Sequence, residues 1–393
     1  MVSQDSMNVH WLISAPGGHI HPGAEILERP YRISLSEHHP SLTLGDYFEA
    51  AEKFVSEDHL DTLVGLFEGR SGSPVTPRDI TDILIRSEKH GALYHIAGVE
   101  VLARSGALKF ALSSAISEEG KQWLSRESDT LAYLDKDFDL PYLPKPFFRG
   151  EATVPGREAF SMLAAQWFEG FSEWHLSIDK RSGEFGLVVW DGNAGNRWAD
   201  RSEVFEIYRK SSGILTLYYD ARTTRQIHPW RHAAGDFVVR SGTEGVEVRL
   251  TTARNYVSIM DRISGDAVHP MIALVYFFLD LVTRMRVDRL DGTGAAAWAA
   301  VPSLEAAVAG FFGALLTRES RDVYLPGRTA DLMALLKSFD REELEKLFEP
   351  LLDLYVPEDR EALKVIRRNL TAHAAELHRI IQGLRLSSLE KAP

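Results

Sequence analysis

The sequence predicts an α+β fold: a small antiparallel-sheet lobe, then a mainly helical large lobe. Three observations carry that expectation. Ile83–Ile85, Leu93–Ile96, Val99–Leu102 and Ala107–Leu112 are short apolar runs punctuated by Gly91, Gly98 and Gly106, which reads as consecutive strands. A helical pattern follows from Ser117 to about Leu134 and stops before Pro141, Pro144 and Pro146. Beyond Val204 the apolar spacing is mostly helical. Strands grouped ahead of helices, not alternating with them, indicate α+β.

In chain order, residues 1–45 are rich in Gly, Pro and His and read as an irregular arm. Residues 43–70 read as helix, because Leu44, Tyr47, Phe48, Ala51, Phe54 and Val55 fall at helical spacing. Gly69 to Pro77 is a turn-rich break. Ser117 can cap the helix after the strands, with Glu118 and Glu119 where the helix dipole favours anions. Further strands are expected at 159–166 and 185–190, then a helix at 202–218 and a hairpin at 237–240 and 246–251. Helices are expected at 268–290, 303–318, 328–338, 340–355 and 358–382. The last is amphipathic, with Leu363, Ile366, Leu370, Leu377, Ile380 and Ile381 near one stripe and Gly383 as its stop. The expected division is an N-terminal extension at 1–80, a small lobe at 81–166 and a large helical lobe at 167–393. No short-period self-similarity supports a repeat solenoid.

Composition narrows the function classes. With 45% apolar and 25% charged residues, 393 residues can bury a sizeable core. The net charge of −12 disfavours nucleic acid and anionic membrane as main partners. The chain has no cysteine, so disulfides, thiolate nucleophiles and Cys-based metal sites are excluded, which agrees with a cytoplasmic protein. No secretory leader is expected, since Trp11-Leu12-Ile13 is too short for its apolar region. Met271–Leu279, nine apolar residues before Asp280, reads as a buried helix because spanning a bilayer takes about twenty.

Among polar residues, Glu127 stands out. Leu124, Leu131 and Leu134 define one face of the Ser117–Leu134 helix, and Glu127 shares it at i+3 from Leu124 and i−4 from Leu131. A carboxylate on a buried stripe needs a cation or several donors. Lys109, inside the apolar strand just before the helix, can supply a cation, and such a strand-lysine and helix-glutamate pair holds nucleotide phosphates in kinases. The plainer alternative is a solvated Glu and a snorkelling Lys.

The segment Ser87–Leu102, then Leu108-Lys109-Phe110-Ala111-Leu112, then Arg126-Glu127-Ser128-Asp129-Thr130-Leu131-Ala132-Tyr133-Leu134 resembles the small lobe of the aminoglycoside/choline phosphotransferase-like kinases, which have a two-lobed protein-kinase-like fold. That resemblance covers roughly residues 80–320 and implies ATP and magnesium as cofactors. It implies that Lys109 holds nucleotide phosphates, that Glu127 orients Lys109, and that Gly91 belongs to a thin glycine-bearing loop. Ser161–Gly170 resembles the strand and hinge that contact an adenine, which places Gln166 and Trp167 there. Gln226–Val239 resembles the family's catalytic loop, close to H-G-D-x-H-x-x-N. In that register His228 and His232 fall on the two histidines, Asp236 takes the metal-binding Asn place, and Trp230 falls where the base belongs. The next strand, Val246–Leu250, leads to Thr251-Thr252-Ala253-Arg254-Asn255 and not to a metal-binding Asp.

Three accounts of this loop stay open: a kinase-like fold without phosphotransfer, acting as a pseudokinase binding or scaffolding module; a rearranged site using His228, His232 and Asp236; or Asp236 itself as base. A purely structural loop, with Trp230 in the core, is the bland alternative. The acceptor, whether small molecule or protein, is not indicated.

Other patterns are weaker. His19, His21, His38 and His39, with Glu37, supply imidazoles but no fixed metal spacing. Asp280–Arg284 and Arg284–Asp288 read as i,i+4 pairs on the surface of a helix end. Trp167, Phe168, Phe171, Trp174 and Trp190 read as packing aromatics. Ser161, Ser172 and Ser177 lack the context of a nucleophile elbow. Asp191–Asn196 reads as a turn, because the terminal Glu of a calcium loop is missing.

Overall fold

The computed structural model describes residues 7–15, 18–34, 37–72, 74–91, 93–191, 195–232, 235–264, 268–319 and 328–389. Gly17, Ala92, Ala233, Ala234 and residues 192–194 of the turn noted above lie outside them. The chain is α+β and divides into two compact units: Met1–Asp139 with Pro144–Glu169, and Leu140–Leu143 with Gly170–Pro393.

The first unit is built on a seven-stranded sheet. Its strand order is Gly18–Ile20, Asn8–Ala15, Ile80–His90, His95–Ala103, Gly106–Ala115, Phe160–Gln166, Pro146–Ala152. Pairing is antiparallel except where Asn8–Ala15 runs parallel to Ile80–His90. Alternation decides which face is buried. Ile83, Ile85, Val99, Val101, Leu108, Phe110, Leu112, Met162 and Ala164 share one apolar core with Tyr47, Phe48, Ala51, Phe54, Val55, Leu63 and Phe67. Each such large side chain contributes about 1.5–3 kcal/mol by leaving water. The covering residues come from the helices Leu44–Lys53 and Leu60–Ser71, joined by a wider π turn at Phe54–Asp58. Thr43 and Asp46 start that cover with reciprocal capping hydrogen bonds.

Several expectations are corrected here. Residues 1–80 are not an appended arm but supply two strands of the sheet, Asn8–Ala15 and Gly18–Ile20, and the cover of its buried face. The parallel strand escaped notice because its partner lies about seventy positions away, with no local hairpin signal to mark it. Gly98 does not end a strand but lies inside His95–Ala103. A Cβ there would stand 3.1 Å from Glu88 Oε1 and 3.7 Å from the Trp167 ring, so a bare backbone fits that side of the sheet. Pro146 starts the edge strand Pro146–Ala152, where a missing N–H costs no ladder bond.

The helix Glu118–Phe138 packs on the other face through Leu124, against Ala115, Leu163 and Tyr94. Ser117 caps it by accepting from Gly120 N at 3.1 Å.

In the second unit a five-stranded antiparallel sheet runs Arg197–Trp198, Phe185–Trp190, Ser172–Ile178, Phe237–Gly242, Gly245–Leu250. The helices Arg201–Leu217 and Val301–Glu319 cross so closely that a Cβ on Gly310 would lie 1.9 Å from the Arg209 carbonyl oxygen. Ser212 Oγ donates to Ala307 O across the same crossing at 2.7 Å. Pro270–Arg284 is shorter than expected; the chain then enters the strand Val287–Arg289. The expected helix 340–355 is two, Arg341–Lys346 and Glu349–Tyr355, the second with Pro350 in its first turn. Among the described residues no helix is long and apolar enough to cross a membrane.

Candidate functional site

The first unit holds the residues expected to bind nucleotide. Lys109 projects from the half-exposed face of Gly106–Ala115, directly across from Glu100. Glu100 pairs with Arg86, and the Lys109 amine lies 4.9 Å from the centroid of the Trp167 ring. Trp167 thus turns its ring under the sheet, onto Lys109 and toward the Gly98 backbone. Gln166 ends its strand with its backbone N–H on Lys145 O at 2.8 Å, and its Oε1 accepts from Lys145 N at 3.4 Å. Its side chain is exposed. Gly91 closes the loop between two strands by donating to Tyr94 O at 3.0 Å.

Glu127 is 5% exposed on Glu118–Phe138, as its place on the Leu124–Leu131 stripe required. Its carboxylate accepts from the Tyr94 hydroxyl. Among the described residues no ion pair joins it to Lys109. The expected lysine–glutamate pair is therefore two separate contacts, Lys109 with Trp167 and Glu127 with Tyr94. Tyr94, expected inside a strand, lies just before the strand His95–Ala103, and nothing in the spacing marked its hydroxyl as the donor.

The second unit holds the loop residues. Asp236 is fully buried immediately before the strand Phe237–Gly242. Arg254 grips it in a bidentate fork at 2.6 and 2.7 Å, and Arg231 N donates to it at 2.7 Å. Asp236 was expected to hold magnesium or act in the reaction. Its two oxygens instead tie the loop to the segment that follows the next strand. His232 lies among Trp174, Tyr208, Trp230 and Phe237, with ring centroids 4.6 to 5.9 Å away. Burial pushes its pKa down to about 4, so it is neutral at pH 7. Trp230 is core, 2% exposed.

His228 is 1% exposed, and its Nε2 meets Glu358 Oε1 at 2.9 Å. Glu358 also accepts from Arg284 Nη1 at 3.0 Å. Burial alone would raise the pKa of Glu358, but Arg284 and His228 hold it down at about 2. Arg284 in turn donates its Nε to both oxygens of Asp280 at 2.9 Å. The structure therefore brings His228 together with Asp280, Arg284 and Glu358, and not with His232 or Asp236 in one open site.

The Asp280–Arg284 pair, expected on the surface, is buried at 1% and 5% exposure. Arg284 does not pair with Asp288, whose Oδ2 accepts from Leu176 N at 2.8 Å. Sequence reasoning missed Glu358, because its partners stand 74 and 130 positions away. Arg254 was equally illegible as the partner of Asp236.

The N-terminal histidines do not converge. His10 meets Asp82 at 3.1 Å, His19 meets Glu88 at 3.6 Å, and His39 meets Glu158 at 3.4 Å. Among the described residues no group of three His, Asp or Glu is placed to hold a metal ion. No family model and no curated protein matches the chain.

Proposed function

We propose that this chain is a kinase-like binding module that does not transfer phosphate, with ATP and magnesium as the ligands to be tested. One observation carries the loss of chemistry: both oxygens of Asp236 are committed to the Arg254 fork and the Arg231 N–H. A general base must lie within hydrogen-bond reach of the proton it takes, and Asp236 is 0% exposed. Trp230 cannot accept a proton, and His232 is walled in by aromatic rings. The nucleotide half of the reading is supported by the half-exposed amine of Lys109 beside an indole, on a sheet followed by a helix with a buried acid.

Melting with and without MgATP tests both halves. A ligand that binds only the folded chain raises Tm by linkage. The expected result is a rise that Lys109→Ala abolishes, with no ADP released beyond the blank. ATP turnover that Asp236→Asn removes, and that the exposed control Asp353→Asn leaves intact, would return the rearranged phosphotransferase to first place. Absence of any MgATP shift would leave a scaffold without nucleotide.

A further inference from the structure

Between the turn that follows the helix Arg201–Leu217 and the start of the helix Pro270–Arg284, the second unit holds a recess of about 200 Å³. We propose that it binds a small organic anion, an acid group carried on an aromatic or short aliphatic body. The space suits such a body, since an apolar cavity of about 150 Å³ takes a benzene ring. Its floor is apolar and fixed. Tyr219 and Leu274 are 1% and 3% exposed, and the Tyr219 ring stacks on Phe277 with centroids 4.4 Å apart. Ala221, Pro270 and Met271 complete the apolar wall.

The charged residues that line the recess are two cations, Arg222 and Arg328, and among the described residues no acid lines it. Both arginines are exposed, so solvent and solutes reach them, and among the described residues neither guanidinium is hydrogen-bonded or ion-paired. Asp220, two positions before Arg222, is engaged in its own turn. Its carboxylate accepts from Arg222 N at 2.8 Å, Thr223 N at 3.2 Å and Thr223 Oγ1 at 2.5 Å. Those bonds pin the turn that carries Arg222, while Arg328 opens the helix Arg328–Ser338. Two uncommitted cations beside an apolar floor select an anion with an apolar body, because guanidiniums match a carboxylate and the floor takes the rest. None of these residues belongs to the nucleotide or loop sets described above, so this inference stands whether or not the chain binds ATP.

The test is a melting titration of the whole chain with sodium benzoate and sodium hexanoate. Acetate supplies the charge without the body, benzyl alcohol the body without the charge, and chloride the matched ionic strength. The expected result is a saturable rise in Tm with benzoate or hexanoate that exceeds the effect of acetate, benzyl alcohol and chloride. Arg222→Gln and Arg328→Gln should each weaken the apparent affinity about threefold, and the double variant about tenfold, as befits exposed charge pairs. Ala221→Phe fills the recess, keeps every charge, and should abolish the rise while the protein still melts cooperatively. Should that variant fail to fold, the arginine double variant decides. A rise no larger than that with acetate or benzyl alcohol, or one unchanged in the double variant or in folded Ala221→Phe, would overturn the proposal.

Discussion

The polar face of the first unit and the loop of the second carry similar residue types in opposite circumstances. Lys109 is half-exposed and held by one weak contact with Trp167. Asp236 and His228 are buried and locked by arginine and glutamate. A charge in water keeps its options for a ligand. A charge out of water must spend its hydrogen-bonding capacity on the fold. Residue type alone therefore did not separate candidate chemistry from architecture; burial did.

The sharpest way to break that contrast is acid. Burial pushes His232 down to about 4 and His95 and His373 to about 3. Their folded pKa values lie below the unfolded 6.5, so the folded state binds fewer protons. Their contribution is complete above about pH 6.5 and falls as pH drops toward 4 and then 3, roughly 3 kcal/mol for His232 alone. Glu358 adds a later loss, as pH falls from 4.5 toward its folded value of about 2. His175 runs the other way: burial lowers its pKa, but Asp288 and Glu173 outweigh burial and raise it to about 9. Its contribution is present below 6.5 and lost as pH rises through 9. Urea midpoints followed from pH 4 to 9 should show a steep acid limb that His232→Leu flattens. A flat limb would mean these imidazoles are hydrated in solution.

Next in size is Asp236→Ala. Removing one partner of a buried pair costs about 3–5 kcal/mol, and the 18% exposure of the Arg254 side chain puts the expectation near the lower end. Equilibrium unfolding would measure it. A cost under about 1 kcal/mol would make Asp236 dispensable to the fold and revive a functional role.

In the first unit, Glu127→Gln should cost about 2 kcal/mol, since it weakens a hydrogen bond to a buried charged acceptor. A double-mutant cycle with Tyr94→Phe isolates that bond, and zero coupling would remove it from the account. Smallest is Lys109→Ala, about 0.5–1 kcal/mol for a half-exposed cation over an indole. A much larger loss would show that Lys109 is structural, and would erase the contrast between the two regions.

Most of the main elements were legible because their signals are local. The Ser117 cap with Glu118 and Glu119, the burial of Glu127 on its stripe, and the hairpin after Asp236 all follow from neighbours within a few positions. The errors share one cause. Asn8–Ala15 pairs with a strand about seventy positions on, Gly98 is explained by the Trp167 ring, and Asp280–Arg284 is buried by elements that the helix pattern does not name.

What the sequence determined by itself was the α+β class, the run of strands between Ile80 and Ala115 with the capped helix after it, and the place of Glu127 on the Leu124–Leu131 stripe, because periodicity and capping act over one or two turns. Which cation meets which acid was decided only in three dimensions. Ion pairing and burial depend on distances between segments remote in the chain, and neither spacing nor residue type carries that information.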